Sequence, residues 1–194
     1  MFFQPIQIKA LASALKRGEI GLFPCDTVLG IIAIASDDNC RKIQAIKQRD
    51  SVPFLCLMSS MTQVESWAKP LSETQKKHCQ NYWPGPMTFI MEKQDHVSAA
   101  ITGSKPTVAM RIPEFLPLKA LLDEINEPLL STSANRHGQA VAHSVSDCDP
   151  DIKNQCDWVY DALPPLSQKA STIVDLTQNP EKIIRQGGQV FEPL

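Results

Sequence analysis

The 194-residue chain lacks the features that most directly reveal a membrane, secreted or nucleic-acid-binding protein. No apolar run approaches the ~20 residues that a membrane-spanning helix requires, so no contact with a membrane is expected. The stretch Met1-Phe2-Phe3-Gln4-Pro5 does not have the basic-then-apolar layout of a secretory signal peptide. A formal net charge of -2 gives no overall attraction to nucleic acid, so any weak contact with RNA has to be local or indirect.

Cysteine and histidine spacing also lacks the patterns of a metal site. The six cysteines form no Cys-x-x-Cys pair, and His78 and Cys79 are adjacent, so a metal ligand set is not expected. A reduced, cytoplasmic compartment explains these thiols best. What the chain does have is 43% hydrophobic and 21% charged residues, which predicts one well-buried globular domain over residues 1–194.

Hydrophobic periodicity predicts short strands that alternate with helices, the pattern of an α/β protein. Strands are expected at 20–23, 31–35, 54–58, 87–90, 107–113, 129–130, 158–160, 171–176 and 182–187. Helices are expected over 8–15, after Ser36 or Asp37, after Ser59 or Ser60, and over 116–125. A further helix begins at the capping box Ser72-Glu73-Thr74-Gln75.

The stretch 128–138 is the strongest candidate for a binding site. It begins as a short apolar strand, Leu129-Leu130, and turns into Ser131-Thr132-Ser133-Ala134-Asn135. Small hydroxyl and amide side chains at the edge of an α/β sheet supply donors and acceptors and let a ligand approach the backbone. An ordinary polar turn is an equally good explanation of this stretch by itself.

Three other stretches carry candidate ligand groups, each with a simpler alternative. Asp26 and Thr27 lie between Pro24 and Gly30, in a bend that leads to a site or in a plain hairpin. Arg111 follows apolar neighbours, so it requires an anion, either a bound carboxylate or phosphate or an internal salt bridge. Lys47 and Arg49 end a helix, where cations favour the helix dipole even without a ligand.

Taken in order, the motifs resemble those of the YrdC family of threonylcarbamoyl-adenylate synthases. They cover residues ~20 to 188, and each is weak alone but specific as an ordered set. The resemblance implies a YrdC-like α/β fold, a single-domain, twisted, mixed open sheet of about seven strands flanked by helices. The matching pieces are Pro24-x-Asp-Thr-Val-x-Gly30, Lys47-x-Arg49, Trp83-Pro-Gly-Pro-x-Thr88, the strand 108–113, Ser131-Thr-Ser-Ala-Asn135, and Ser171-Thr-Ile-Val-Asp175 with Arg185 downstream.

The resemblance also implies a reaction and roles for the residues. The family joins L-threonine, bicarbonate and ATP into threonylcarbamoyl-AMP and pyrophosphate, for modification of tRNA, with Mg²⁺ accompanying ATP and the product passed to the tRNA-modifying machinery. Lys47 and Arg49 would be catalytic. The ATP-binding set would be Lys47, Arg49, Ser131, Ser133, Asn135 and Arg185. The threonine-binding set would be Thr27, Thr107, Arg111 and Ser171, with Ser171 also near the carbamate.

Several residues depart from the family pattern. Cys25 stands where threonine is usual, Asp50 where proline is usual, Pro53 where a polar residue is usual, and His137 where serine is usual. These departures favour a second hypothesis, a non-catalytic module that binds nucleotide or RNA. A third, a structural α/β domain without a site, leaves the polar strand ends unexplained.

Overall fold

The computed structural model describes residues 5–48, 53–136, 139–161, 167 and 169–194. Helices and strands alternate along the chain, as the periodicity predicts. Seven helices are present in these ranges: α1 Pro5–Lys16, α2 Asp37–Lys47, α3 Met61–Trp67, α4 Glu73–Tyr82, α5 Ala99–Thr102, α6 Leu116–Ile125 and α7 Pro150–Gln155. Nine strands lie in the same ranges: β1 Gly21–Pro24, β2 Leu29–Ile34, β3 Leu55–Leu57, β4 Met87–Glu92, β5 Thr107–Arg111, β6 Leu129–Ser133, β7 Trp158–Val159, β8 Thr172–Asp175 and β9 Lys182–Arg185.

All nine strands form one mixed sheet, in the order β7-β1-β2-β6-β3-β5-β4-β8-β9. The predicted fold class, a mixed open α/β sheet flanked by helices, is confirmed, with nine strands within the described residues in place of about seven. The excess over seven includes β7, a two-residue strand that pairs with β1 at one edge. None of the helices in the described ranges is long and apolar enough to cross a bilayer.

Strand β6 connects two groups of strands. It pairs antiparallel with β2 on one side and with β3 on the other, so Ser131 lies opposite Ile32 and also opposite Leu55. One group is β7-β1-β2, and the other is β3-β5-β4-β8-β9. The polar residues that end β6 therefore lie in the middle of the sheet, between the loops of both groups.

Helices cover both faces of the sheet. On one face, α1 and α6 bury Leu15, Leu118 and Leu122 against strand residues that include Ile32 and Leu129. On the other face, the core contains Cys40 of α2, Val64 of α3 and Cys79 of α4. These residues pack with strand residues that point to this face, such as Ile31 and Leu130. The alternation of neighbours such as Ile31 and Ile32 between the two cores follows from the period-2 geometry of a strand.

Local capping signals determine where several helices begin. Ser36 accepts a hydrogen bond from Asn39 N at 3.2 Å, and Ser60 accepts one from Gln63 N at 3.3 Å. The predicted capping box of Ser72 and Gln75 is present in both directions. Gly18 follows the end of α1 with a φ of +81°, a backbone conformation that glycine adopts without strain. The short helices α5 and α7 were not predicted.

Candidate functional site

A cleft of about 360 Å³ opens between the β1–β2 loop and the middle of the sheet. One group of lining side chains is apolar and comes from strands β4, β5 and β8 and the β1–β2 loop: Ile90, Ala109, Ile173 and Val28. A second group is polar: Thr27, Thr88, Arg111, Ser131, Thr132, Ser133, Ser171 and Arg185. A mostly apolar cleft with a few converging polar groups is the usual form of a small-molecule site.

A buried ion pair lies at one end of the cleft. Arg111 ends β5, and its Nη2 lies 2.9 Å from Asp26 Oδ1 in the β1–β2 loop. Arg111 Nη1 also donates to Thr27 Oγ1 at 3.4 Å, whereas its Nε has no hydrogen-bond partner among the described residues. Burial raises the pKa of Asp26 above its usual value, and the nearby Arg111 opposes that shift only in part. The internal salt bridge, the simpler alternative for Arg111, is therefore present. The plain hairpin is present as well, because β1 pairs antiparallel with β2. The guanidinium of Arg111 nevertheless lines the cleft.

A second polar group joins strands β4, β8 and β9. Thr88 Oγ1 donates to Ser171 Oγ at 2.9 Å, and Arg185 Nη2 donates to the same oxygen at 3.1 Å. Arg185 also donates to the carbonyl oxygen of Ser171 from Nε at 3.1 Å and from Nη2 at 2.8 Å. The pKa of Arg185 is lowered, first by partial desolvation and then by the positive charge of Arg111. Two guanidinium groups therefore face one cleft, which favours an anionic ligand.

The end of β6 is held by a cation and by its own side chains. Lys47, the last residue of α2, donates from Nζ to the carbonyl oxygen of Ser133 at 2.6 Å. Ser133 Oγ donates to Asn135 Oδ1, and Asn135 Nδ2 donates to the carbonyl oxygen of Gln139 at 2.6 Å. The amide of Asn135 thus braces the loop after β6, in a neighbouring depression of about 280 Å³.

Beyond this brace, Arg136 fastens the loop to α7 and to the end of α2. Its Nε lies 2.7 Å from Asp149 Oδ2, and its Nη2 pairs with Asp151. Its Nη1 donates to Gln48 Oε1 at 2.9 Å, and Gln48 follows Lys47 directly. The positions of Lys47 and of the Ser131–Ser133 segment are therefore coupled through one side chain.

The structure brings together most of the sequence-predicted site residues. Six line the cleft: Thr27, Arg111, Ser131, Ser133, Ser171 and Arg185. Lys47 and Asn135 are adjacent to it through their hydrogen bonds to Ser133. Thr107 lies at the opposite end of β5 from Arg111 and does not line the cleft. The predicted site residue Arg49 lies outside the described residues, as do Asp50, His137 and Gly138.

Thr88, Cys25 and Pro53 are among the lining residues that were not predicted as ligands. Thr88 ends the Trp83-Pro-Gly-Pro-x-Thr88 motif, whose two prolines fix the backbone before β4, and this is the signal that could have found it. Cys25 and Pro53 appeared only as departures from the family pattern, yet both line the cleft. Burial raises the pKa of the Cys25 thiol to about 12, so it is neutral at physiological pH and unsuited to act as a nucleophile.

Within the described residues, no three His, Cys, Asp or Glu side chains lie close enough together to hold a metal ion. The polar side chains that line the cleft are hydroxyls and guanidiniums. Such groups suit an anionic organic ligand.

Comparisons with known proteins agree with this geometry. The Sua5_yciO_yrdC family, described as "Telomere recombination", matches residues 13–187. The threonylcarbamoyl-AMP synthase of Pyrococcus abyssi is 30% identical over 97% of this chain and 56% of its own length. The synthase of Vibrio vulnificus is 28% identical over 93% of this chain and 98% of its own length. The chain belongs to the Sua5/YciO/YrdC family.

Solved structures show the same fold. P. abyssi Sua5 complexed with L-threonine matches with a TM-score of 0.92 and 28% identity, over 97% of this chain and 56% of that one. E. coli YciO matches with a TM-score of 0.84 and 25% identity, over 98% of this chain and 93% of that one. The chain thus spans about half the length of the P. abyssi protein and nearly all of YciO.

Proposed function

We propose that the protein is a threonylcarbamoyl-AMP synthase that acts in tRNA modification. The observation that carries this proposal is the cleft itself, which places two guanidiniums and several hydroxyls around an apolar floor. Curated relatives with this name are 28–30% identical to the chain, and a related structure binds L-threonine. The proposal includes one domain over residues 1–194, a cytoplasmic location and transfer of the product to tRNA-modifying partners.

The proposed reaction has two bond-forming steps. The amine of L-threonine attacks bicarbonate, with loss of water, to give a carbamate. A carbamate oxygen then attacks the α-phosphorus of ATP, and pyrophosphate leaves, with Mg²⁺ accompanying the triphosphate. The products are threonylcarbamoyl-AMP, pyrophosphate and water.

The threonine half is assigned to the end of the cleft that contains the buried ion pair. The carboxylate of threonine would bind the guanidinium of Arg111, whose Nε has no hydrogen-bond partner among the described residues. Thr27 Oγ1 lies beside the same guanidinium and would contact the substrate as well. The ion pair with Asp26 orients the guanidinium of Arg111 before the ligand binds. Thr107 is proposed to bind threonine only on the family resemblance.

The nucleotide half is assigned to β6 and to the strands that carry Ser171 and Arg185. Arg185, Lys47 and Arg49 would oppose the negative charge of the triphosphate, and Ser131, Ser133 and Asn135 would supply short donors. The proposed reaction needs no protein nucleophile, because the carbamate oxygen attacks ATP directly, and the Cys25 thiol that lines the cleft is neutral. Catalysis would therefore rest on positioning and electrostatic stabilisation.

Incubation with ATP, L-threonine and radiolabelled bicarbonate tests the proposal. We expect label in threonylcarbamoyl-AMP and one pyrophosphate for each product molecule. Lys47→Ala should lower product formation by orders of magnitude, because it removes a buried cation, 4% exposed, that is proposed to oppose the charge of the triphosphate. Lys105→Ala, at an exposed position away from the cleft, is the control for the loss of one lysine charge. ATP binding without product would contradict the synthase and support the non-catalytic module.

A further inference from the structure

The hydroxyl of Ser171 accepts two hydrogen bonds at once. Thr88 Oγ1 donates at 2.9 Å and Arg185 Nη2 donates at 3.1 Å. A serine hydroxyl has two acceptor lone pairs and one hydrogen. Both lone pairs of Ser171 are therefore occupied by protein donors, and only its hydrogen is left for another partner.

Apart from Thr88 Oγ1, which acts as the donor in this pair, no acceptor for that hydrogen lies within hydrogen-bond distance in the described parts of the chain. Ser171 and Thr88 are both buried residues, with exposures of 3% and 1%, and both line the cleft. The open space beside Ser171 Oγ is the cleft, so its hydrogen is directed there. We propose that Thr88 is a positioning residue that makes Ser171 a fixed hydrogen-bond donor to an anionic oxygen of the bound ligand.

The choice of an anionic oxygen follows from the charges nearby. Arg185 binds Ser171 directly, and the second guanidinium, that of Arg111, lines the same cleft. A ligand oxygen that approaches Ser171 therefore enters a positive field, which favours a carboxylate, carbamate or phosphate oxygen. The two donors also polarise the Ser171 O–H bond, so it donates more strongly than an isolated hydroxyl.

The neighbouring strands explain why Thr88 can fulfil this role. β4 and β8 are parallel neighbours, and Thr88 lies opposite Ile173, two residues after Ser171. The hydroxyl of Thr88 has Ser171 Oγ as its one hydrogen-bond partner in the described residues, so it serves no other donor or acceptor. Valine has nearly the shape of threonine and lacks the hydroxyl, so Thr88→Val removes the donor with little change in packing volume.

Naming the ligands rests on the proposed function, and binding measurements separate the two possible sources of the oxygen. Calorimetry with L-threonine, ATP and pyrophosphate would be run on the wild type, Thr88→Val, Thr88→Ser and Ser171→Ala. Ser171→Ala should weaken the ligand that carries the oxygen by roughly 10- to 100-fold, the range for a hydrogen bond to a charged group. Loss for threonine identifies a carboxylate, and loss for ATP or pyrophosphate identifies a phosphate.

Thr88→Val should weaken the same ligand by about 3- to 10-fold. Without Thr88 as a donor, the Ser171 hydroxyl can populate up to three staggered orientations, of which one donates to the ligand. Its O–H bond is also less polarised. Thr88→Ser should restore wild-type affinity. In the Ser171→Ala background, Thr88→Val should have no further effect, because Thr88 acts through Ser171. An equal loss in both backgrounds would show that Thr88 acts by packing and would overturn the proposal.

Neutron diffraction of the unliganded protein tests the hydrogen placement without reference to any reaction. We expect deuterium on Thr88 Oγ1 between the two hydroxyls, and deuterium on Ser171 Oγ directed into the cleft. Deuterium on Ser171 directed at Thr88 would overturn the proposal even if the protein is an active synthase. The expected placement in a protein that forms no product would leave the proposal standing and reject the proposed function.

Discussion

Two arginine–aspartate pairs in this protein have similar distances and opposite electrostatic consequences. Arg111 and Asp26 lie 2.9 Å apart with side-chain exposures of 2% and 3%, whereas Arg136 and Asp149 lie 2.7 Å apart with exposures of 28% and 22%. Burial raises the pKa of Asp26 despite Arg111. The hydrogen bond from Arg136 lowers the pKa of Asp149.

The comparison shows that burial, more than distance, decides whether such a pair favours the folded state. In the buried pair, the desolvation of the carboxylate outweighs its attraction to the guanidinium. The fold therefore keeps a carboxylate that destabilises it, and what it gains is a fixed guanidinium at the wall of the cleft. The partly exposed pair does not itself line the cleft, and it fastens the loop after β6 to α7.

The largest expected effect comes from removing the cation of the buried pair. Arg111→Met should lower the free energy of unfolding by about 3–5 kcal/mol at neutral pH, because Asp26 is left buried without a counter-charge. Urea denaturation measures the loss. Adding Asp26→Asn to this variant should recover most of it, and the matched change Arg136→Met should have a much smaller effect. If the double variant is no more stable than Arg111→Met, the loss comes from packing and not from the unpaired charge.

A smaller effect is expected in the pH dependence of stability, with opposite signs for the two aspartates. The pKa of Asp26 is raised in the folded protein, so its contribution to stability is fully present below its ordinary pKa of 3.8 and is lost as pH rises through the folded value. Stability of Asp26→Asn relative to the wild type should therefore increase as pH rises above 3.8. The pKa of Asp149 is lowered, so its contribution is present above 3.8 and is lost only as pH falls through the folded value.

Urea unfolding of the wild type, Asp26→Asn and Asp149→Asn between about pH 3 and 7 checks these signs. The deficit of Asp149→Asn should stay constant from neutral pH down to about 4 and shrink at lower pH. Curves that change in the same direction for both variants would remove the distinction between the two pairs.

The smallest expected effect is that of salt. Raising the ionic strength from about 0.05 M to 1 M shortens the screening length to ~3 Å, which weakens exposed pairs and leaves buried pairs almost unchanged. The stability difference between the wild type and Arg136→Met should shrink with salt, and that for Arg111→Met should not. Equal salt dependence would mean that water and ions reach the Arg111–Asp26 pair.

The parts of the fold that sequence predicts well are those set by neighbours along the chain. Ser36, Ser60 and the Ser72–Gln75 box each cap a helix through a backbone group three residues away, so a short window contains the whole signal. The helix α7 was not predicted, because six residues in a polar stretch give no periodic hydrophobic pattern. The order of strands in the sheet depends on pairings across long stretches of chain, which no local window contains.

The same division applies to the site. The polar ends of the strands at Ser131 and Ser171 and the cation at Arg111 could be predicted, because each residue type is unusual in its local context. The sequence could not predict that Asp26 pairs with Arg111 or that Thr88 donates to Ser171. Each of these contacts joins residues more than 80 positions apart. Tertiary geometry, and not residue type, also excludes Thr107 from the cleft wall.

The central position of β6 has a consequence for how this protein is made in the cell. Strands β2 and β3 leave the ribosome well before Leu129, yet β6 fills the place between them and pairs Leu129 with both Ile34 and Leu57. Until β6 arrives, β2 and β3 each expose an unpaired edge on an apolar strand, which is a template for association with another chain. The nascent protein should therefore be most prone to aggregation, and most dependent on chaperones, during the interval in which residues between Leu57 and Leu129 are being synthesised.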